Sequence, residues 1–131
     1  MTRTRKFRCQ PEAVTAARLY VRGLLSGQPL EVVQAAELLT SELAANSVRH
    51  ARSEFEVAID SRDPIRIEVS DNGEGRPKVL NPPPRIPTGR GLQIVNRTAD
   101  TWGIRPTAAG KTVWFTLSPV RMQRSAQRES A

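Results

Sequence analysis

Between Leu30 and Val69 the hydrophobic rhythm of this chain changes period, and that change restricts its fold more than any other feature. From about Leu30 to Ala51, the residues Val32, Ala36, Leu39 and Leu43 recur three and four positions apart, the spacing of one helical face. From Phe55 onward the apolar residues take every second position: Phe55, Val57 and Ile59, then Ile65, Ile67 and Val69. That alternation marks two half-buried strands, and the short Ser61–Pro64 segment between them reads as a hairpin turn. A long amphipathic helix beside a hairpin buries both apolar faces only if one packs on the other. The expected class is α+β, a two-layer sandwich.

The flanking segments extend this frame. Residues 4–9 alternate around Phe7 and Cys9 as an edge strand would. Pro11 suits a helix start, and Val14, Ala17, Val21, Leu24 and Leu25 carry a helical pattern ending near Gly27, with Pro29 in the first turn of the next helix. Five of the ten prolines (Pro77, Pro82, Pro83, Pro84, Pro87) fall between Arg76 and Thr88. Such a run favours extended polyproline backbone and excludes a helix or central strand. After it, Leu92, Ile94 and Val95 begin a short helix to about Ala99. Trp102–Arg105 and Thr112–Leu117 read as two more strands joined by a turn at Ala108–Lys111. Beyond Pro119 the tail is polar and basic, and fraying is expected there.

These patterns amount to one domain over residues 1–118 with a tail over 119–131. No apolar run approaches the ~18 residues of a membrane span, so a cytoplasmic protein is expected. One cysteine and one histidine exclude an internal disulfide framework and leave no structural zinc set; Cys9 is expected as a buried or half-buried thiol. The net charge of +7 favours acidic partners of some kind. Aromatic residues are only 5% of the chain and form no stacking motif, so direct nucleic-acid binding is not expected.

Four polar constellations stand out. Glu42 and Asn46 are four apart on the long helix, with Arg49 and His50 a turn further, which puts these groups on one face beside the apolar stripe. An amide oxygen there suits Mg²⁺ and a carboxylate suits polarising a hydroxyl; a solvated helix face is the plainer reading. Asp71-Asn72-Gly73-Glu74-Gly75 follows a strand directly, either as a common turn or as a place where a flat ligand meets a carboxylate between glycines. Thr88-Gly89-Arg90-Gly91-Leu92 runs into a helix, either a flexible helix start or an anion site. Gly110-Lys111-Thr112 looks like the end of a phosphate-binding Walker A loop, but Arg105 stands where its first glycine belongs and a strand follows instead of a helix. Thr112 is therefore expected as a strand residue facing the same cleft.

In register, Glu42-Leu-Ala-Ala-Asn46-Ser-Val-Arg-His50-Ala51, Asp71-Asn-Gly73-Glu-Gly75, Gly89-Arg-Gly91-Leu-Gln-Ile-Val95 and Gly110-Lys-Thr112-Val-Trp-Phe-Thr-Leu117 resemble the GHKL superfamily of ATPases. Within it the chain is most similar to the anti-sigma-factor serine kinases. The resemblance covers about residues 8 to 118. It implies the Bergerat fold, a mixed, mostly antiparallel sheet with helices on one face and ATP held between helices and a lid over about 76–88. It also implies Asn46 on Mg²⁺, Glu42 as general base, and Asp71 on the adenine amine with Thr112 supporting it. Gly73 and Gly75 would pass the base; Gly89, Arg90, Gly91 and Leu92 would close on the phosphates, with Arg49 and His50 on the phosphate side. Ser47 stands where such proteins often carry alanine, a modest change on a packed helix.

The activity implied is transfer of the ATP γ-phosphate to a serine or threonine of a STAS-like anti-sigma-factor antagonist, sequestration of a sigma factor, or both. The alternative is an ATP-responsive binding module without transfer. Homodimers are an expectation carried from the same resemblance.

Overall fold

In the computed structural model, which describes residues 2–73, 94–95 and 97–122, both periods become elements of the expected kind. Strand β1 (Thr2–Phe7) leads into helix α1 (Glu12–Leu24) and helix α2 (Leu30–Asn46), and α2 continues as a π-helical turn over Ser47–Ala51. Then follow β2 (Phe55–Asp60), β3 (Ile65–Asp71), β4 (Thr101–Pro106) and β5 (Lys111–Leu117). The strands form one sheet in the order β1-β2-β3-β5-β4. The mostly antiparallel sheet expected is antiparallel at each of these four pairings.

Alternation decides which side of the sheet is core. Phe55, Val57 and Ile59, then Ile65, Ile67 and Val69, then Val113, Phe115 and Leu117 are buried, and they form one cluster with Val21 and Leu25 after α1 begins and with Val32, Leu39 and Leu43 of α2. The intervening residues of β2 and β3 are only half-buried. On this second side, Arg66 lies over the Trp114 ring at 4.2 Å and donates to Glu68 at 2.8 Å. The two helices are tied by Glu37 of α2, which accepts from Arg18 and Arg22 of α1 at 3.1 and 2.9 Å. The Arg22 hydrogen bond holds the Glu37 carboxyl below its ordinary value, against the opposing effect of burial, with Arg18 assisting.

Several boundaries differ from the sequence reading for local reasons. The first strand stops at Phe7 because Gln10 N–H turns back to the Arg8 carbonyl at 2.9 Å; Cys9 thus falls in a turn and is exposed, not buried. Helix α1 ends at Leu24, before Gly27 adopts φ of 94°. The long helix does not stay α-helical to Ala51: its last turn widens, Arg52 N–H bonding to the Ser47 carbonyl at 2.9 Å, and Arg52 stops it at φ 53°. The tail is not frayed from its start. Residues 119–122 make a helical turn, Met122 packs on the core, and Asp100 accepts from Ser118 N–H at 2.7 Å. Ile94 and Val95 are helical as expected, and Ala99 N–H bonds to the Val95 carbonyl at 2.8 Å. No helix among the described residues is long and apolar enough to cross a membrane.

Candidate functional site

The last residue of β3 is a carboxylate on the core side of the sheet. Parity puts Asp71 in line with Ile65, Ile67 and Val69, and it is 5% exposed. A buried charge needs partners, and three elements supply them. Ser47, first residue of the π-helical turn, donates its hydroxyl to Asp71 Oδ2 at 3.0 Å. Lys111, first residue of β5, donates Nζ to the same oxygen at 2.8 Å. Gly73 N–H reaches Oδ1 at 3.3 Å. The end of α2, the end of β3 and the start of β5 therefore meet on one side chain.

Two glycines make this convergence possible. A Cβ on Gly73 would lie 2.5 Å from the Ala51 Cβ, so only glycine lets the chain after β3 pass the π-helical turn. A Cβ on Gly110 would lie 2.0 Å from the Asp71 carbonyl oxygen. The β4–β5 hairpin is closed beside it by Thr107 N–H to the Gly110 carbonyl and Gly110 N–H to Thr107 Oγ1, both 2.9 Å.

Glu42 and Asn46 lie half-buried at the margin of the buried α2 stripe of Leu39, Leu43 and Ser47. Asn46 precedes the hydroxyl that binds Asp71, and Glu42 is set back about 7.5 Å along the helix axis from Ser47. Arg49 and His50 are exposed on the π-helical turn. Desolvation, then the charges of Arg49 and Lys111, hold the His50 imidazole below its ordinary value. No group of three or more His, Cys, Asp or Glu side chains among the described residues is placed to hold a metal.

Thr112 is not beside Asp71. Register pairs it with Ser70, and the two hydroxyls share a 2.7 Å hydrogen bond on the other side of the sheet. Successive strand residues face opposite ways, so Lys111 takes the place expected for Thr112. Gly75, Gly89, Arg90, Gly91, Leu92 and the 76–88 segment lie outside the described residues.

Sequence reasoning missed Lys111 as a partner of Asp71 and treated Ser47 as a modest change. Both were signalled. Ser47 continues the four-residue series Leu39, Leu43, and Lys111 shares parity with Val113, Phe115 and Leu117, as Asp71 does with Val69.

A family model described as the histidine kinase-like ATPase domain matches residues 7–117. No curated protein sequence matches the chain. Among solved structures, the RsbU and RsbW domains of Rv1364c from Mycobacterium tuberculosis superpose with a TM-score of 0.70 at 18% identity, over 90% of this chain and 32% of that one. The likeness is one of fold, and this chain spans about a third of that neighbour's length.

Proposed function

This chain belongs to the histidine kinase-like ATPase domain family, and on that premise we propose that it binds Mg·ATP at the α2–β3–β5 junction and acts as an anti-sigma-factor serine kinase. The observation that carries the reading is the buried Asp71 carboxylate, held at the end of β3 by the hydroxyl of Ser47, the residue that follows Asn46. A fixed acceptor there takes a hydrogen bond from the exocyclic amine of adenine and repels the carbonyl that guanine carries in its place. Gly73 and Gly75 let the flat base approach. For the phosphates we carry forward Gly89, Arg90, Gly91 and Leu92 from the sequence resemblance, with Arg49 and His50 beside them. The same resemblance assigns a lid to residues 76–88 within a domain over residues 1–118.

The donor set fits magnesium. Mg²⁺ takes one or two hard protein oxygens and completes its shell with phosphate and water; Asn46 would hold it, with Glu42 one turn away. Bound Mg·ATP supplies the transferable γ-phosphoryl group and neutralises charge as it moves. Glu42 accepts the proton of the acceptor hydroxyl at its carboxylate, a role worth about 10²–10⁴ in rate. Helix α2 orients both groups because their spacing is fixed by one rigid turn. The partner class is the one the sequence resemblance implies: a serine- or threonine-bearing antagonist in a sigma-factor pathway. Thr112 stays outside this reading.

Melting curves with and without Mg·ATP test it. Binding to the folded state raises the midpoint by mass action, and Asn46→Ala should remove most of that rise. A wild-type midpoint that does not move at millimolar Mg·ATP refutes the reading. If the midpoint moves but labelled phosphate never reaches an antagonist protein, the chain is an ATP-responsive binding module instead.

A further inference from the structure

The two oxygens of Asp71 are not equivalent. Oδ2 accepts from Lys111 Nζ at 2.8 Å and from Ser47 Oγ at 3.0 Å, whereas Oδ1 has the longer 3.3 Å contact with Gly73 N–H. A carboxylate oxygen offers about two acceptor directions, so among the described residues Oδ2 is filled and Oδ1 keeps capacity for another donor. We propose that Lys111 and Ser47 are positioning residues for base selection: by holding Oδ2 from two sides they present Oδ1 of Asp71 to the exocyclic amine of the purine. This assignment rests on the ATP-binding reading above and names the groups that make that site selective.

The tether is strong for geometric reasons. Its two donors come from opposite sides of the carboxylate in the chain, one from the π-helical turn and one from β5. Turning the carboxylate would break a charge-assisted bond and a hydroxyl bond together. Lys111 cannot drift along β5, because Gly110 is lodged against the Asp71 backbone and Lys111 pairs with Asp71 in register. Ser47 is itself buried at 2% exposure, so its hydroxyl has been placed in the interior with Asp71 as its acceptor. A role confined to stability would cost all nucleotides alike. A positioning role instead predicts coupling between these side chains and one substituent of the base.

The test measures dissociation constants for ATP, inosine triphosphate and purine riboside triphosphate, which carry an amine, a carbonyl and a hydrogen at the same ring position. Wild type should prefer ATP over both by about tenfold or more, the worth of one hydrogen bond to a charged acceptor. In Lys111→Met the preference should shrink to within about threefold; Ser47→Ala should fall between, and Lys111→Arg should recover part of it. Melting curves establish that each variant is folded, and if Lys111→Met does not fold, the Ser47→Ala and Lys111→Arg ratios decide. Equal weakening of all three nucleotides, or unchanged ratios, overturns the assignment. So does tighter ATP binding in Lys111→Met, which would make Lys111 a competitor for the carboxylate. A wild type that binds none of the three overturns this assignment and the ATP-binding reading together; a wild type that binds ATP with ratios unmoved by mutation overturns this one alone.

Discussion

Replacing Gly110 by alanine should damage this protein far beyond the size of one methyl group. The added Cβ would lie 2.0 Å from the Asp71 carbonyl oxygen, 2.8 Å from Asn72 Cα and 2.9 Å from the Asp71 carbonyl carbon, all backbone atoms. Real Cβ atoms essentially never approach closer than 3.0 Å, so the two chains must part by about 1 Å where β3 meets β5. No side chain can rotate away to absorb that. Overpacking of this kind costs about 1–3 kcal/mol, and with backbone on both sides we place Gly110→Ala at the upper end, about 3 kcal/mol. For a domain of this length that corresponds to a fall in Tm of about 10 °C. The shift also displaces Lys111 from Asp71, so nucleotide affinity should fall with stability. Circular dichroism melting, with Gly23→Ala as control, reads the effect. Gly23 lies in α1 with nothing within 4 Å of an added Cβ, and alanine there should leave stability unchanged or raise it by up to about 1 kcal/mol. A Gly110→Ala protein melting within about 2 °C of wild type would refute the close approach on which the site's geometry depends.

Three further outcomes are expected. Thr40 is fully buried and its hydroxyl has no hydrogen-bond partner among the described residues; Thr40→Val should stabilise by about 1 kcal/mol, and a loss in urea titration would mean the hydroxyl is satisfied. Glu42→Ala should keep ATP affinity within a few-fold while phosphoryl transfer to an antagonist drops by about 10²–10⁴; full-rate transfer in a single-turnover assay removes Glu42 from the chemistry. The His50 imidazole lies below its ordinary value, so in the free protein the unfolded chain binds the proton first, and stability declines as pH falls through the ordinary value toward the depressed one. A nearby phosphate reverses that preference, so Mg·ATP binding near pH ~6 should take up protons, measured by calorimetry in buffers of different ionisation enthalpy. His50→Gln should abolish the uptake, and an uptake equal in that variant would separate His50 from the phosphates.

How far the molecule was legible in advance follows the range of the forces involved. Helix and strand identity depend on the periods of Val32–Leu43 and of Phe55–Val69, which are local, and those elements were read with boundaries off by a few residues. The errors lie where short-range signals compete: the turn at Arg8–Gln10 that cut β1 short, and the widened turn at Ser47–Ala51, whose buried residues keep the spacing an α-helix would show. Of the candidate site, Glu42, Asn46 and Asp71 are singled out by residue type and spacing. Lys111 was misjudged in favour of its neighbour because choosing between them requires knowing which side of β5 meets Asp71.

By itself, then, the order of residues determined the element types, the two-layer class and the candidate groups, since each rests on spacings within about twenty positions. The tertiary structure alone decided the β3–β5 register, which joins Asp71 to Lys111 across forty residues, and with it the side of the sheet on which each side chain stands. A strand's period of two makes one residue of slip exchange its faces. Only the packing of Gly110 on Asp71, Gly73 on Ala51 and α2 on the sheet removes that ambiguity.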